Sequence, residues 1–381
     1  MKEELTNLRQ QMNDTDNQLV ALFTRRMEIA GEIASYKVEN DLPVFDKLRE
    51  REIMGRLTEN QSEEMAMYTK LLYTTLFDLS RSYQSRRLYK DSRLVEKVRT
   101  ARENTPKEFT KQAVVACQGT EGAYSQLACD RLFARPSIMY MSSFQGVFQA
   151  VEKNLCRYGI LPIENSVHGS VTEVYDLMKK YNFYIARQVK ILVSHALLTR
   201  GRKSLSQIRE IYSHEQAIGQ CSDFLAKHPE IKVNIVENTA VAAKMVADSS
   251  RDDVAAISSQ NCADLYGLTV LSDEIQNSAN NYTRFICISK ELEIYPGANK
   301  MSLMFTLDHR PGSLYNLISK FSALGLNLTK LESRPIPGKD FEFMFYFDLE
   351  ASVYSEDVLS LLSELEHGQD QFVYLGSYLE M

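Results

Sequence analysis

Residues 3–39, EELTNLRQQMNDTDNQLVALFTRRMEIAGEIASYKVE, hold a single glycine and no proline, and their apolar residues recur with heptad spacing. These apolar residues fall on the a and d positions: Leu5, Leu8, Met12, Leu19, Leu22, Ile29, Ile33 and Tyr36. The spacing predicts one helix from about Glu3 to Glu39 with a continuous apolar stripe. Helices this long, joined by so few residues, cannot form a compact core within one chain, so we expect it to pair with a second copy.

The sequence up to residue 90 predicts an all-helical domain. A second helix begins at about Asp46, and a third carries apolar residues at helical spacing: Met65, Tyr68, Leu72, Leu76, Leu79 and Tyr83. Residues 91–111 are charged and interrupted by Pro106, which predicts a frayed helix and a linker between domains.

Between residues 112 and 290, short apolar runs of strand character alternate with helical stretches. The runs are AVVAC, SIMYM, YGILPI, EIYS, VNIVE, DVAAIS and RFICIS. This alternation predicts an α/β domain with mostly parallel strands. Residues 299–381 follow the order strand, helix, strand, strand, helix, strand, which predicts a ferredoxin-like βαββαβ unit. The chain is therefore predicted to be multidomain.

The composition is that of a globular protein, since 44% of the 381 residues are apolar, 25% are charged and the formal net charge is −6. No dense cluster of Lys and Arg occurs, so nucleic acid is not an expected partner. No apolar run approaches the roughly 20 residues that span a bilayer, and the polar start MKEELTNLRQ predicts a cytoplasmic protein without membrane contact. The six cysteines form no C-x-x-C pair, so we expect reduced core residues, no disulfide and no metal site.

Two basic residues lie on the predicted stripe of the first helix. Arg26 occupies an a position, where a charge requires an anionic partner, and Lys37 follows on the same face about 16 Å further along. Two such side chains can converge on a small dianion. Arg26 could instead fix the helix register or reach outward to solvent. Arg9 lies about 25 Å from Arg26 along the helix, so it can reach the same ligand only from a partner subunit.

These residues, with the segment PVFDKLRERE and two polar residues of the third helix, resemble the active-site set of the all-helical chorismate mutases. The set is Arg9, Arg26, Lys37, Asp46, Arg49, Glu50, Ser80 and Gln84. The resemblance implies an intertwined dimer around chorismate, in which the three arginines hold two carboxylates and Arg9 comes from the other subunit. It also implies that Lys37 and Gln84 donate to the ether oxygen as catalytic residues, while the others bind the ring hydroxyl and position their neighbours.

Four turns between predicted strands and helices carry small polar residues: GTEGAYS (119–125), PIENSVHGS (162–170), YSHEQAIGQC (212–221) and ENTAVAA (237–243). In an open parallel sheet such turns gather at one edge, where helix N-termini offer N–H groups to anions. Each turn alone is also compatible with ordinary helix capping. Together with NYTRF (281–285), they resemble prephenate dehydratases in order and spacing.

That resemblance implies two α/β lobes around a cleft, similar to periplasmic ligand-binding proteins, and conversion of prephenate to phenylpyruvate, carbon dioxide and water. Thr283 is the expected catalytic donor to the departing hydroxyl, although threonine also suits the start of a strand. Arg284 either binds a substrate carboxylate or braces the turn. The other prephenate-binding candidates are Glu164, Asn165, Ser166, Ser213, Gln216 and Gln220. The histidines are interpreted as packing or hydrogen-bonding residues: His168, His195 and His214.

The C-terminal βαββαβ unit resembles an ACT domain, a module that binds an amino acid between paired copies. The segments DHRPGSLYNL (308–317) and LESRP (331–335) carry this resemblance. It implies a phenylalanine site made of Gly312, Ser313, Leu314, Tyr315, Glu332, Ser333 and Arg334. Gly-Ser-Leu-Tyr replaces the usual Gly-Ala-Leu-Val, so a hydroxyl and a phenol narrow or redirect the pocket. The alternative is a plain dimerisation module.

The order of the three parts resembles the bifunctional chorismate mutase/prephenate dehydratases of phenylalanine biosynthesis. The resemblance implies an isomerase and carbon–oxygen lyase without metal or organic cofactor, assembled as a homodimer or homotetramer and feedback-inhibited by phenylalanine. A mutase fused to a prephenate dehydrogenase would need a G-x-G-x-x-G turn, which the sequence lacks. A non-catalytic amino-acid sensor is the second alternative. Such a sensor would need neither Thr283 nor the complete set of chorismate mutase residues, so their presence speaks against it. The sequence leaves the strength of inhibition, the rates and channelling between the two sites open.

Overall fold

The structure is a computed structural model that describes the following residues: 2–40, 42, 46–88, 92–201, 203–307, 309, 311–336, 342–368 and 371–381. The chain divides into two compact units. The first comprises Met1–Arg99, Met304–Phe347 and Val353–Phe372. The second comprises Thr100–Leu303, Asp348–Ser352 and Val373–Met381.

Three helices begin the first unit: α1 (Lys2–Glu39), α2 (Lys47–Thr58) and α3 (Glu63–Leu88). Their bounds confirm the three predicted helices. Asp46 precedes α2 and caps it, because its Oδ1 accepts a hydrogen bond from the backbone N–H of Arg49 at 3.0 Å. Both α1 and α2 pack against α3.

The predicted apolar stripe of α1 is left uncovered by the part of the chain that the structure describes. Its large side chains are all exposed, from 41% at Ile29 to 68% at Leu22. Among the residues of this helix whose burial the structure describes, only the small residues Ala30, Gly31 and Ala34 are buried. A stripe of this length needs an apolar partner surface, because monomeric proteins rarely expose so large an apolar patch.

A fourth helix, α4 (Arg93–Asn104), lies where a frayed helix and a linker are predicted. Val95, Val98 and Ala101 are buried on it. The prediction of a frayed helix is wrong because these three residues, spaced by three, give the segment an apolar face that packs. Asp91, at which the predicted linker begins, lies outside the described residues.

The larger lobe of the second unit is built on one sheet. Its strands are β1 (Gln112–Gln118), β2 (Arg135–Met141), β3 (Tyr158–Asn165), β4 (Gly169–Ser170), β5 (Tyr184–Leu192) and β11 (Tyr282–Ser289). The strand order is β5-β11-β3-β1-β2, and β4 pairs with β3. The helices are α5 (Tyr124–Leu132), α6 (Phe144–Glu152) and α7 (Thr172–Tyr181). Val115, Ile160 and Cys287 form its core with Ala128 and Cys129 of α5.

A second sheet forms the smaller lobe. Its strands are β6 (Ala196–Thr199), β7 (Glu210–Ser213), β8 (Lys232–Ile235), β9 (Val254–Ser258) and β10 (Thr269–Ser272), in the order β10-β6-β9-β7-β8. Its helices are a 3-10 turn (Leu205–Gln207), α8 (Glu215–Gln220), α9 (Ser222–Ala226), α10 (Thr239–Asp248) and α11 (Asn261–Tyr266). Two further apolar cores lie in this lobe. The two sheets agree with the predicted pair of α/β lobes.

The prediction of mostly parallel strands is wrong. β1 is parallel to β2 and β3, and β7 is parallel to β8 and β9. However, β11 is antiparallel to β3 and β5, and β6 is antiparallel to β9 and β10. The chain leaves the larger lobe after β5 and returns to it at β11, so the direction of β11 is not set by a βαβ crossover. As a result, the first residues of β11 lie beside the last residues of β3.

The C-terminal elements are β12 (Lys300–Thr306), α12 (Ser313–Ala323), β13 (Asn327–Pro335), β14 (Phe343–Glu350), α13 (Glu356–Gly368) and β15 (Phe372–Glu380). This order confirms the predicted succession of strands and helices. The strands are arranged as β13-β14-β12-β15. β12, β14 and β15 each contribute residues to both units.

The environment of the cysteines and the character of the helices bear on two predictions made from the sequence. The six cysteines are buried with free thiols, which confirms their prediction as core residues. Among the helices of the described residues, none combines the length and the apolar character that a membrane span requires.

Candidate active sites

Arg26 lies against α3. Its Nη1 donates hydrogen bonds to Ser80 Oγ and, at 3.3 Å, to the carbonyl oxygen of Leu76. Its guanidinium also lies 5.7 Å from the centre of the Phe77 ring. The structure therefore brings together Arg26 and Ser80, two of the predicted mutase residues. The alternative in which Arg26 reaches outward to solvent is wrong.

A second charged group joins α2 to α3. Glu50 on α2 forms an ion pair with Arg81 on α3, and Arg81 also pairs with Asp78. Arg81 and Asp78 are not among the residues predicted from the sequence, although their i,i+3 spacing on a helix with other polar site residues is a usable signal. Arg49 pairs instead with Glu52 at 3.0 Å, and its side chain is exposed.

The other predicted mutase residues differ in exposure. Lys37 and Gln84 are half-buried, whereas Arg9 is exposed. Because α1 is continuous, Arg9 and Arg26 are separated by about 25 Å along its axis, so one chain does not bring them together. Residues 43–45 of the predicted segment PVFDKLRERE lie outside the described residues.

The dehydratase candidates Thr283 and Asn165 are hydrogen-bonded neighbours. Thr283 of β11 is paired with Asn165 of β3, and Asn165 Nδ2 donates to Thr283 Oγ1 at 2.9 Å. Asn165 Oδ1 accepts hydrogen bonds from the backbone N–H groups of Val167 and His168, both at 3.0 Å, which fixes the orientation of the amide. The Thr283 hydroxyl is the acceptor in this contact, so its own hydrogen can be donated to a ligand.

This pair lies in a cleft of about 580 Å³. All four turns singled out in the sequence contribute to its lining. They belong to two sheets, two turns to each, so they meet at a cleft rather than at one edge of a single sheet as predicted. Prominent polar residues of the lining are Tyr124, Asn165, His195, Gln216, Gln220, Glu237, Asn238 and Thr283. In the described ranges, no cluster of three or more His, Cys, Asp or Glu side chains could hold a metal ion. The volume is typical of a small-molecule site.

Two predicted prephenate-binding serines do not line the cleft. Ser213 is fully buried and donates to the carbonyl oxygen of Ile257 at 2.7 Å. Ser166 Oγ donates to the carbonyl oxygen of Asn280 at 3.1 Å and accepts from the backbone N–H of Tyr282 at 2.9 Å. Both hydroxyls therefore hold backbone segments that border the cleft.

Glu164 and Arg284 also lie outside the cleft lining. Successive side chains of a strand point to opposite faces, so these two residues lie on the face opposite Asn165 and Thr283. There the Arg284 guanidinium is 2.5 Å from the Glu164 carboxylate and 3.2 Å from that of Asp348. Of the two interpretations of Arg284, these contacts favour the brace over the substrate ligand.

His195, interpreted from the sequence as a packing or hydrogen-bonding residue, lines the cleft. Its Nε2 lies 2.7 Å from Gln220 Oε1, and burial lowers the pKa of His195, so a neutral imidazole donates this hydrogen bond. Tyr124 packs edge-on against the His195 ring and donates to the carbonyl oxygen of Ser194 at 2.6 Å. Burial raises the pKa of Tyr124, which keeps the phenol protonated. Tyr124 lies in the GTEGAYS turn, but the sequence around His195 carries no comparable signal.

The predicted phenylalanine-binding residues lie on α12 and β13. Gly312, at the start of α12, has a φ of 87°, which glycine adopts without strain. Tyr315 is 70% exposed. Side chains alternate along β13, so Glu332 and Arg334 share a half-buried face and Ser333 lies on the exposed face. Two positions of the predicted motif lie outside the described residues, Asp308 and Arg310.

Comparison with known proteins identifies the family. Two family models match the chain, chorismate mutase type II over residues 8–85 and prephenate dehydratase over residues 115–293. The bifunctional chorismate mutase/prephenate dehydratase of Escherichia coli (strain K12) is 31% identical over an alignment 383 positions long, which spans 98% of this chain and 96% of that protein. The protein of the same name from Aquifex aeolicus (strain VF5) is 30% identical, with 99% and 98% covered. The chain therefore belongs to the family of bifunctional chorismate mutase/prephenate dehydratases.

A solved structure extends this comparison. The prephenate dehydratase of Arthrobacter aurescens in complex with L-Phe is 26% identical, with a TM-score of 0.63. The similarity covers 71% of this chain and 89% of that protein.

Proposed function

We propose that the protein catalyses two consecutive steps of phenylalanine biosynthesis, the rearrangement of chorismate to prephenate and the conversion of prephenate to phenylpyruvate, carbon dioxide and water. The observation that carries the proposal is the Thr283 hydroxyl in the cleft, which Asn165 Nδ2 holds at 2.9 Å. The names of the E. coli and A. aeolicus relatives, which align with nearly the whole chain, support both activities.

Dehydration requires a donor for the departing C4 hydroxyl. A free threonine hydroxyl is a weak acid, so Thr283 acts through a positioned hydrogen bond that strengthens as negative charge develops on the leaving oxygen. The hydrogen bond that Thr283 accepts from Asn165 polarises the hydroxyl in the same direction. Phe144, Val193 and Phe285 add apolar surface to the cleft. An apolar surrounding disfavours the charged carboxylate that is lost as carbon dioxide.

The remaining dehydratase candidates divide into two groups. We assign contact with prephenate to Asn165, Gln216 and Gln220, because these residues line the cleft. We assign support of the surrounding strands and loops to Glu164, Ser166, Ser213 and Arg284, because their side chains bind other protein groups.

Chorismate rearrangement is unimolecular, so it requires confinement of the reactive conformer and stabilisation of charge on the breaking ether. Arg26, held by Ser80, is suited to bind one substrate carboxylate, and Arg49 the other. Lys37 and Gln84 are proposed to donate to the ether oxygen. The remaining residues of the set, Asp46 and Glu50, complete the surroundings of the ring.

The mutase site is proposed to form between two copies of the chain. The uncovered stripe of α1 supports a homodimer, or a homotetramer built from such dimers, because a second copy would bury the stripe. The same pairing would bring Arg9 of the other subunit to the site.

The C-terminal residues are proposed to form a regulatory ACT domain. The strand order β13-β14-β12-β15, with two connecting helices, supports a ferredoxin-like fold for residues 299–381. The complex of the A. aurescens relative with L-Phe supports phenylalanine as the effector. The domain bounds proposed with it are 1–90 for the mutase and 112–290 for the dehydratase. Six buried free thiols support a reducing compartment such as the cytoplasm.

The whole assignment has one direct test. Incubation of the full-length chain with chorismate is expected to produce phenylpyruvate, with prephenate as the intermediate, as measured by chromatography and mass spectrometry. Accumulation of prephenate alone would contradict the dehydratase assignment. Binding of phenylalanine without consumption of chorismate or prephenate would instead favour the amino-acid sensor.

Tyr315 provides a test of the effector site. Its side chain is 70% exposed in the described structure, so we expect it to line the phenylalanine site. An aromatic contact contributes about 0.5–1.5 kcal/mol beyond burial, so Tyr315→Val is expected to weaken phenylalanine binding roughly 2- to 10-fold in calorimetric titration. Tyr354→Val, at another exposed tyrosine of the same module, is the control and should bind normally. Tighter binding by Tyr315→Val would mean that the ring blocks the pocket.

A further inference from the structure

Two side-chain pairs occupy neighbouring positions of the antiparallel ladder between β11 and β3. Thr283 is paired with Asn165, and Arg284 is paired with Glu164. Because side chains alternate along a strand, the first pair faces the cleft and the second faces the other side of the sheet. One peptide bond in each strand therefore joins the cleft pair to the pair behind it.

The Arg284 guanidinium lies between two carboxylates. Its Nη2 is 2.5 Å from Glu164 Oε2 and its Nη1 is 3.2 Å from Asp348 Oδ2, and the side chain is only 12% exposed. Burial acts to lower the pKa of Arg284, but the carboxylates of Asp348 and Glu164 outweigh it and raise the pKa. The two carboxylates hold the guanidinium from two sides, so loss of either one removes a contact that fixes the position of Arg284. Glu164, Arg284 and Asp348 are called the Arg284 cluster below.

Asp348 connects the Arg284 cluster to the C-terminal strands. It lies on β14, and its Oδ1 accepts a hydrogen bond from Ser302 Oγ of β12 at 2.6 Å. Ser302 Oγ is in turn 2.6 Å from the buried Tyr378 hydroxyl of β15. Both Asp348 oxygens are thus engaged, one by Arg284 and one by Ser302. A displacement of β14 would therefore alter the contact with Arg284.

We propose that the Arg284 cluster positions the Thr283–Asn165 pair and makes the dehydration of prephenate respond to the C-terminal module. The inference rests on the proposed function and adds to it the residues through which phenylalanine acts on the cleft. A misplacement of about 1 Å at a reacting group can cost roughly 100-fold in rate, so a small shift of Arg284 is sufficient. Arg284 and Asp348 are positioning residues in this scheme, since neither lines the cleft.

Asp348→Asn tests the connection. The substitution removes the charge, preserves the shape and keeps an acceptor for Ser302. We would measure kcat and KM for prephenate in the full-length protein without and with saturating phenylalanine, and phenylalanine binding by calorimetry. Phenylalanine is still expected to bind. The inhibition ratio, which is kcat/KM without phenylalanine divided by kcat/KM with phenylalanine, is expected to be at least about fivefold smaller than in the wild type. Without phenylalanine, kcat is expected to fall while KM changes little.

Glu350→Gln is the matched control. Glu350 lies on the same strand two residues further on, is half exposed and pairs with Lys300 at 3.6 Å. Its substitution removes a carboxylate from β14 without touching the Arg284 cluster, so inhibition should equal that of the wild type. If Asp348→Asn does not fold, Ser302→Ala serves as the second variant. It removes the hydroxyl that donates to Asp348, so it should also weaken inhibition by phenylalanine.

The outcomes separate this inference from the function on which it rests. A wild-type chain that does not convert prephenate would overturn the proposed function and the inference with it. A wild type that is active and inhibited, with Asp348→Asn equally active and equally inhibited, would overturn the inference alone. Equal loss of inhibition in Glu350→Gln and Asp348→Asn would also overturn it, because the effect would then not depend on Arg284.

Discussion

Replacement of Thr283 by alanine is expected to lower kcat for the dehydration of prephenate by about 10²- to 10⁴-fold, the usual contribution of a positioned proton donor. At about 1.4 kcal/mol per tenfold change, this corresponds to roughly 3–5 kcal/mol of transition-state stabilisation. The change leaves the fold intact, because Asn165 Nδ2 keeps a second acceptor, Asn281 Oδ1, at 2.7 Å. Steady-state assays with prephenate measure the loss.

Two controls make the Thr283 result specific. Thr283→Ser retains the hydroxyl and should recover most of the dehydratase activity, whereas a purely structural role of the β-branched side chain predicts that serine behaves like alanine. The rate of chorismate rearrangement by Thr283→Ala should equal that of the wild type. The mutase residues Arg26 and Ser80 lie on α1 and α3, whereas Thr283 lies on β11. Loss of both activities in a folded Thr283→Ala protein would count against separate sites.

The sequence was sufficient for features that depend on residues close together in the chain. Heptad spacing predicted the continuous α1, and the four polar turns predicted that these segments lie close together, because both signals are local. The helix α4 was predicted only as a frayed helix and its packing was missed, since its buried apolar residues are only three within a charged segment. A hydrophobic pattern this short does not show whether another helix or strand packs against the apolar face.

The arrangement of the dehydratase site depended on strand direction, which the sequence did not reveal. The motif residues were found, but the contact between Asn165 and Thr283 arises because β11 returns antiparallel beside β3. The same register sends Arg284 to the far face of the sheet, towards Asp348, which is distant in sequence. Contacts between residues this far apart in the sequence become visible only in the folded structure, whereas motif spacing indicates only which residues belong to the site.

Lys37→Ala is expected to lower kcat/KM for chorismate rearrangement by about 10²- to 10³-fold, because one donor to a developing oxyanion contributes about 2.7–4 kcal/mol. Dehydration of supplied prephenate should be unchanged. Arg25→Ala is the matched control: it removes a cation from the same helix, but Arg25 is exposed and pairs only with Glu28 at 3.3 Å in the described structure. An exposed pair of this kind contributes little, so the mutase activity of Arg25→Ala should remain normal.

Lys37→Ala, combined with Arg9→Ala, also tests which subunit supplies Arg9 to the mutase site. Arg9 and Arg26 are about 25 Å apart along α1, so a site that uses both must take Arg9 from a second chain. Arg9→Ala and Lys37→Ala are then each inactive as mutases, but a mixed dimer contains one site with neither lesion and one site with both. After random exchange of equal amounts, half of the dimers are mixed and about a quarter of all sites are intact, as expected for a twofold-symmetric dimer. Mutase activity should recover to that fraction, and no recovery despite demonstrated subunit exchange would place Arg9 outside the site.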